Sequence, residues 1–392
     1  MHIMQIAESV SEEVVFLRRE LHKIAELSFE EYKTAAFIAA YLEKLGIPCR
    51  TGVAKTGVVA YLDAGKKHTL LLRADMDALP VEETNDVPYQ SQTEGVMHAC
   101  GHDAHMAVAL ATAKCMASRK DLLQANVLFV FQPGEETTGG AEPMIATGIL
   151  EEFGVTCATG LHVMNDVEAG KIRVKSGPLM AAPDDFDLTI KGKGGHGAYP
   201  KECNNPIPLA ANIICAFDEI GRKLASAQEP AVLSTCMVQG GDANNIIPDT
   251  VYVSGTVRTF DSVLRKQIPV EMEQAVKRIC DLAGADYDFQ FHFRYPPLIN
   301  HDTMAEILAT SAAQTLGSEH VIIGGEPSMA GEDFAYFSEK VPSVFFYLGS
   351  GNKKSGIDMP LHSTNFKIDE SCLTVGVATY LSLVFNDCIY FE

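Results

Sequence analysis

Hydrophobic residues recur at two different spacings along this chain of 392 residues, and the spacings predict two kinds of element. Near the start, apolar residues three or four apart mark an amphipathic helix: Val10, Val14, Leu17 and Leu21. Short, almost continuous apolar runs are typical of buried strands in parallel sheets. The two patterns then alternate, which predicts a helix over about 31–45, strands over 57–62 and 68–73, a helix over about 103–118, a strand over 127–131, a helix over about 141–150 and a strand over 158–163.

The pattern changes near Pro183. From there it predicts a strand over 186–191, a helix over about 206–227, strands over 231–239 and 250–260, a helix over about 261–284 and a strand over 286–294. This βαββαβ order fits a ferredoxin-like domain, and after Asn300 the earlier alternation resumes with a helix and a strand over 343–348.

We therefore predict an α/β protein of two domains, in agreement with its length. The first is an open, mostly parallel sheet with helices on both faces, made of residues 1–183 and 298–392. The second is an inserted ferredoxin-like α+β domain, residues 184–297.

Composition narrows the classes of partner. The chain has 31 Lys and Arg against 51 Asp and Glu, a net charge of −20, which argues against nucleic acid or an anionic membrane as partner. No apolar run approaches the roughly 20 residues that a membrane-spanning helix needs. The ten cysteines are scattered and the first residues include acidic side chains where a signal peptide would be apolar. These features predict a cytoplasmic protein with free thiols.

The segment 97–105 is the richest in metal-binding side chains. Cys100 and His102 stand one residue apart across Gly101, just before an apolar helical run. Residues two apart do not share a helix face, so the two side chains converge on one point only from a turn, for which Gly101 supplies the backbone freedom. The start of a helix also lowers the pKa of a cysteine, so we expect Cys100 to be disposed toward the thiolate that binds metal.

Other candidate ligands follow apolar strands or occupy irregular segments. Any single His in such a place is more often a satisfied polar residue than a ligand. Together they form a mixed nitrogen, oxygen and sulfur set that suits zinc, manganese, cobalt or nickel. Five ligands exceed the number of a site for one ion, so two divalent ions sharing a ligand is the better count. The five are Cys100, His102, Glu136, His162 and His362.

The dipeptide Glu135–Glu136 follows a strongly apolar strand. Adjacent carboxylates cannot take the same place at a metal, so one is left beside the site. The alternative interpretation of this dipeptide is a solvated acidic turn with no role in a site. We assign Glu136 as ligand and Glu135 as the general base toward water, because a carboxylate near metals and a second carboxylate is tuned for proton transfer.

The motifs, taken together, strongly resemble the di-metal aminoacylase and carboxypeptidase family, in its hippurate hydrolase and auxin-conjugate amidohydrolase branch. The resemblance covers essentially the whole chain in order. Asp75 occupies the place of a ligand His of the wider family, and the Cys100–His102 pair replaces it. The matching motifs are RADMDALP (73–80), HACGHD (98–103), FQPGEE (131–136), GLH (160–162), GGHG (194–197), GEDF (331–334) and PLHS (360–363).

The resemblance implies further roles. Asp77 would orient a metal ligand. The insert would pair two subunits into a homodimer or a tetramer of dimers, and His196 would reach across the dimer to stabilise the oxyanion; without the resemblance, a polar turn is the simpler interpretation of His196. Asn245 and Arg258 match substrate-binding positions, and the Arg258 guanidinium suits a substrate carboxylate. Glu332 would either line the pocket or only place a negative charge at the start of a helix.

The implied reaction is metal-dependent hydrolysis of an N-acyl amino acid to a carboxylic acid and a free amino acid. A dipeptidase or carboxypeptidase with the same two-metal site is the close alternative. A non-catalytic binding homologue would be expected to lose ligands or the base. A purely structural metal site would have closed coordination and no spare carboxylate beside it.

Overall fold

A computed structural model describes residues 2–225 and 230–385. The chain divides into two compact units. Unit 1 comprises Met1–Leu179, Ile299–Glu326 and Asp333–Glu392, and unit 2 comprises Met180–Leu298 and Pro327–Glu332. The domain boundaries inferred from the sequence, and the roles given to the two parts, stay predictions.

Within the described residues the helices, numbered along the chain, are α1 (Ile3–Glu8), α2 (Ser11–Lys23), α3 (Tyr32–Lys44), α4 (His102–Ala117), α5 (Ala141–Ala146), α6 (Ile149–Glu152), α7 (Pro206–Leu224), α8 (Ser262–Ala283), α9 (Asp302–Leu316), α10 (Ala335–Ser338) and α11 (Cys372–Phe385). None of these helices combines the length and the apolar composition that crossing a bilayer requires.

The strands described in the same residues are β1 (Cys49–Val53), β2 (Gly57–Leu62), β3 (Thr69–Asp75), β4 (Asn126–Gln132), β5 (Val155–Glu168), β6 (Ile172–Val174), β7 (Gly177–Met180), β8 (Ala182–Lys191), β9 (Gly195–His196), β10 (Ala231–Gln239), β11 (Ile246–Ile247), β12 (Thr250–Thr259), β13 (Asp286–His292), β14 (Leu298–Asn300), β15 (Val321–Ile323) and β16 (Ser343–Gly351).

Unit 1 is built on one sheet of eight strands in the order β1-β2-β4-β3-β5-β16-β6-β15. Its centre, β4-β3-β5-β16, is parallel, and β1 and β2 join the β4 edge in antiparallel fashion. Strands β3 and β4 are buried along their whole length. This burial explains why their sequences are continuous apolar runs, as expected of central parallel strands.

Helices cover both faces of this sheet. Helices α1, α2, α3, α4, α9 and α11 contribute to one large apolar core with residues such as Leu72, Phe129 and Phe346. On the opposite face, Phe334 lies just before the short helix α10, and its ring packs 5.1 Å from that of Phe345 on β16. The sequence prediction of an open, mostly parallel sheet with helices on both faces is confirmed.

Unit 2 contains a four-stranded antiparallel sheet in the order β10-β12-β8-β13. Numbered within the unit this is 2-3-1-4, the order of a ferredoxin-like fold. Helices α7 and α8 form the core with one face of the sheet, where Phe186 and Phe217 meet edge to face at 5.3 Å.

Three sequence boundaries need correction. The helix expected over about 141–150 is two short helices, because Gly148, a poor helix former, interrupts it. Strand β5 does not end at Val163 but continues to Glu168, which pairs with Gly351 of β16. Helix α7 ends at Leu224; residues 226 and 227 of the predicted helix lie outside the described residues.

Candidate active site

The parallel strands of unit 1 deliver polar side chains to one edge of the sheet. β3 ends at Asp75 and leads to Asp77, while β4 ends at Gln132 and leads to Glu135 and Glu136. Parallel neighbours end on the same side, so these carboxylates gather where ligands bind in open α/β sheets.

A left-handed turn brings Cys100 and His102 to the same edge. Gly101 has φ +87° and directly precedes α4, which begins at His102. A Cβ at Gly101 would lie 2.4 Å from Cγ2 of Val163, so both the backbone conformation and the packing demand glycine here. The turn predicted from the Cys-Gly-His spacing is confirmed.

His102 is held with one ring nitrogen free. Its Nδ1–H donates to the Asp77 carbonyl oxygen at 2.8 Å, so that in the neutral ring the lone pair is on Nε2. Nε2 lies 3.6 Å from Asp75 Oδ2 and 3.8 Å from Glu136 Oε1. A ligand histidine is commonly fixed in this way, with its second nitrogen bonded to the protein.

His162 is held in the same tautomer. Its Nδ1–H donates to the Val163 carbonyl oxygen at 2.7 Å, and its Nε2 faces Cys100 Sγ at 3.3 Å. Both side chains are buried.

His362 approaches from the loop before α11. Its backbone has φ +65°, uncommon outside glycine, and its amide donates to the Ala99 carbonyl oxygen at 2.9 Å. Its Nε2 lies 3.3 Å from Glu136 Oε1, and its side chain is 52% exposed, so it forms the open side of the cluster.

The five candidate ligands form overlapping groups in which the ligand atoms lie within 4.8 Å of one another. Cys100 belongs to one group with His102 and His162, and to another with Glu136 and His362. Glu135 and Glu136 also converge on His102. The structure thus brings together all five residues and the proposed base, although their roles stay predictions.

Unsatisfied atoms in this cluster fit a bound cation. His102 Nε2 and Glu136 Oε1 are buried and have no hydrogen-bond partner among the described residues. Leaving such atoms unpaired is costly, and both are electron-pair donors of the type that binds divalent metal. The set of sulfur, nitrogen and oxygen donors is therefore suited to transition-metal ions.

The expected thiolate at Cys100 is wrong for the metal-free site. Burial, followed by the negative charges of Glu136 and Glu135, raises the pKa of Cys100 well above its ordinary value. These effects outweigh the lowering of the Cys100 pKa that the start of α4 would cause. Burial lowers the pKa of His102, but the Asp75 and Asp77 carboxylates outweigh it and raise that pKa to about 10. A cation therefore competes with protons for these two ligands.

Asp77 contacts two of the candidate ligands. Besides the carbonyl bond to His102, its Oδ2 accepts from the Glu136 amide at 3.0 Å and from the Ser28 hydroxyl at 2.7 Å. These are the contacts expected of a residue that orients ligands, and that role stays a prediction.

Sequence reasoning did not find His105. Its Nδ1–H donates to Asp75 Oδ1 at 2.6 Å, and its Nε2 accepts from the Val163 amide at 3.0 Å. His105 thereby holds Val163, the residue whose carbonyl oxygen accepts from His162. The available signal was its position three residues after His102, which places both on one face of α4.

A buried ion-pair network stands behind Asp75. Arg73 donates to Asp75 Oδ2 at 2.6 Å and to Asp333 Oδ1 at 2.8 Å. Asp333 follows the Gly-Glu of the GEDF motif, and only the structure reveals that it pairs with a strand residue 260 positions earlier.

Unit 2, described by itself, carries the other four predicted residues. His196 on β9 is exposed and pairs with Ile246 of β11, beside Asn245, whose carbonyl oxygen accepts from the Gly197 amide at 2.8 Å. Partly buried Arg258 donates to the Val257 carbonyl oxygen at 3.1 Å, and to Thr256. Glu332 is buried. Their roles stay predictions.

Comparison with known proteins identifies the family. The sequence model of Peptidase family M20/M25/M40 matches residues 71–386. The chain belongs to this family. The resemblance inferred from the motifs is confirmed, and the M20 chain is a hydrolase.

Two relatives cover most of the M20 chain. Thermostable carboxypeptidase 2 of Saccharolobus solfataricus is 37% identical over 381 residues, which is 96% of this chain and 95% of that protein. N-acyl-L-amino acid amidohydrolase of Geobacillus stearothermophilus is 41% identical over 302 residues, 76% of this chain and 81% of that protein.

A solved structure has the same fold. The Bacillus subtilis YXEP protein, a dinuclear metal binding peptidase from the M20 family, is 34% identical and superposes with a TM-score of 0.83. The match covers 96% of this chain and 98% of that chain.

The turn at Gly101 provides a stability test for the M20 chain. Gly101→Ala should destabilise the fold more than Gly46→Ala, because both positions have positive φ but a Cβ at Gly46 meets nothing within 4 Å. We expect Gly46→Ala to cost about 1 kcal/mol from backbone conformation. Gly101→Ala should cost about 1–3 kcal/mol more from overlap with Val163. Urea unfolding followed by circular dichroism measures both; equal losses would contradict the packing explanation.

Proposed function

We propose that the M20 chain hydrolyses the amide bond of N-acyl amino acids, releasing a carboxylic acid and a free amino acid. The carrying observation is a converged set of five metal-binding side chains with a further carboxylate, that of Glu135, close to His102 and Glu136. The relative named N-acyl-L-amino acid amidohydrolase supports the substrate class.

Cys100, His102, Glu136, His162 and His362 would hold two divalent metal ions, with Cys100 the best candidate for the shared ligand because it belongs to both ligand groups. The relationship to a dinuclear metal binding M20 peptidase supports the count of two. When bound, such ions lower the pKa of a water molecule at the site and polarise the substrate carbonyl.

Glu135 would accept the proton of the attacking water and return it to the departing amine. Asp77 would keep His102 and Glu136 oriented, through its carbonyl and its carboxylate respectively. The Nδ1–H bonds of His102 and His162 leave each Nε2 lone pair available to a metal ion.

The residues of unit 2 would act on the substrate. His196 would stabilise the oxyanion, and its exposure in unit 2 leaves the ring accessible. Arg258, Asn245 and Glu332 would position the amino-acid end, with the Arg258 guanidinium toward the carboxylate.

A carboxypeptidase is the second candidate, because thermostable carboxypeptidase 2 matches 96% of the chain. Both reactions cleave an amide next to a free carboxylate, and they differ in the acyl side. Substrate tests therefore separate them.

We expect metal-dependent release of free amine from an N-acyl amino acid. Metal-stripped protein is assayed with manganese, zinc, cobalt or nickel on N-acetyl and N-benzoyl amino acids and on dipeptides carrying the same C-terminal residue. A preference for N-acyl amino acids supports the proposal, and a preference for dipeptides supports the carboxypeptidase. No release with any metal, while two ions bind per chain, would overturn both and favour a binding role.

Glu135→Gln should lower kcat by about 100-fold to 10,000-fold, because a neutral amide cannot accept the water proton. Metal content, measured by mass spectrometry, should stay at the wild-type value. Glu142→Gln is the matched control, since Glu142 is exposed on α5; it should keep wild-type kcat. Retained turnover in Glu135→Gln would remove Glu135 from this role.

The dimer is a further part of the proposal. Strand β10 is at the edge of the unit 2 sheet, paired on one side with β12. Its second half exposes apolar side chains, with Met237 43% and Val238 53% accessible. Such an edge is suited to pairing with a second copy of the chain.

A cytoplasmic location also stays proposed, and the nine cysteines described as free are compatible with it.

Introducing charge at this edge should separate the subunits. Met237→Lys with Val238→Lys should weaken the dimer by about 100-fold or more, since like charges would face each other across it. Sedimentation velocity measures the change. Leu282→Lys, on an 86% exposed position of α8, should leave the dimer intact. A monomeric wild-type chain at tens of micromolar would contradict the proposed dimer.

A further inference from the structure

The loop that carries Glu135 and Glu136 lacks regular secondary structure. It connects the end of β4 at Gln132 to the start of α5 at Ala141. A general base must hold its geometry closely to be effective. The position of this loop therefore depends on contacts from other parts of unit 1.

Its far end is held by Asp333, which is fully buried. The Asp333 Oδ2 atom accepts from the amides of Gly140 at 2.8 Å and Ala141 at 3.0 Å. Arg73 and Gln132 donate to the same carboxylate, so its own position is well determined.

Its near end is held by Glu31, a residue of no sequence motif. Glu31 is fully buried, and its Oε1 accepts from the Gly134 amide at 3.0 Å and the Phe29 amide at 2.9 Å. Its Oε2 accepts from the Thr56 hydroxyl at 2.5 Å. One carboxylate thus connects Thr56, in the turn between β1 and β2, to Gly134 in the loop over residues 133–140, which we call the catalytic loop. Gly134 directly precedes Glu135.

The neighbours of Glu31 hold the same loop. A Cβ at Gly134 would lie 2.4 Å from the Phe29 ring, so the ring packs directly on the loop backbone. The Ser28 hydroxyl donates to Asp77 Oδ2, the atom that accepts from the Glu136 amide. Residues 28–31 therefore contact the Gly134 amide directly and the Glu136 amide through Asp77.

Glu31 is not needed to cap the helix that it precedes. The second and third amides of α3, those of Lys33 and Thr34, donate to Glu26 Oε2, each at 2.9 Å. No side-chain cap bond from Glu31 to α3 is formed. Helix capping therefore does not explain why a carboxylate is buried at position 31.

We infer that segment 28–31 is a positioning element of the catalytic loop, with Glu31 as its central residue. The Glu31 carboxylate sets the backbone at Gly134 by its length and its acceptor geometry, and so places Glu135. This inference rests on the proposed function for its effect on turnover, while the contacts themselves do not.

Two variants separate length from charge. Glu31→Asp keeps the charge but is one methylene too short to reach both Gly134 and Thr56. We expect its kcat to fall about 10-fold to 100-fold, with KM changed less than about threefold and two metal ions still bound. Glu31→Gln keeps the length, accepts both amides through its oxygen and donates to Thr56, so its kcat should stay within about threefold of wild type.

Hydrogen exchange followed by mass spectrometry gives a readout without turnover. In metal-free protein, amides of the peptide covering residues 133–140 should exchange faster in Glu31→Asp than in wild type, and at the wild-type rate in Glu31→Gln. Glu30→Asp is the matched control: Glu30 is the exposed neighbour, and its variant should change neither kcat nor exchange.

Wild-type kcat and exchange in Glu31→Asp would overturn the inference, as would equal defects in the Asp and Gln variants. Should Glu31→Asp not fold, Ser28→Ala carries the test, because it removes one hydrogen bond from a half-buried position. Its kcat should fall about fivefold, and an unchanged kcat would overturn the inference.

The two proposals fail differently. If the wild-type chain releases no amine from any substrate, the proposed function fails, while exchange at residues 133–140 still tests the segment. If wild type is active and Glu31→Asp matches it in both readouts, only the positioning role fails.

Discussion

Asp77 joins two of the four parts of the chain from which the candidate ligands come. Its carbonyl oxygen accepts from His102 at the start of α4, and its carboxylate accepts from the amide of Glu136 after β4. Both segments are loops or loop ends, which a sheet alone does not hold in register. The contacts of this one residue therefore place the His102 nitrogen and the Glu136 carboxylate relative to each other, and the shared part of the ligand cluster depends on them.

Charged residues near Asp77 also hold the site in place, and they do so as buried side chains. Arg73 lies between the carboxylates of Asp75 and Asp333, and all three side chains are buried. Burying a charge is unfavourable unless it is paired and hydrogen-bonded, and replacing such a group by apolar packing often stabilises a protein. We interpret the network as support for site geometry rather than as a source of stability. Metal ions would add positive charge where Glu135, Glu136 and Asp75 concentrate negative charge.

Much of the fold was predictable because burial imposes periodicity. The segments that form β2, β3 and β4 each contain an apolar run since they lie inside a sheet with helices on both faces. The ferredoxin-like unit was equally readable from the order of its elements. Boundaries failed where pairing partners decided them, as at β5, which continues past His162 because β16 pairs with it.

The sequence by itself determined the candidate metal ligands, the Cys-Gly-His turn, and the family. Local spacing and motif order carry that information. Only the tertiary structure decided that His105 supports His162 through Val163, that Asp333 pairs with Arg73, and that Glu31 holds the loop before Glu135. These contacts join residues far apart in the chain, and a buried carboxylate has no periodicity that distinguishes it from an exposed one. Burial also raises the pKa of Cys100, which the helix start was expected to lower, since desolvation depends on everything packed around the thiol.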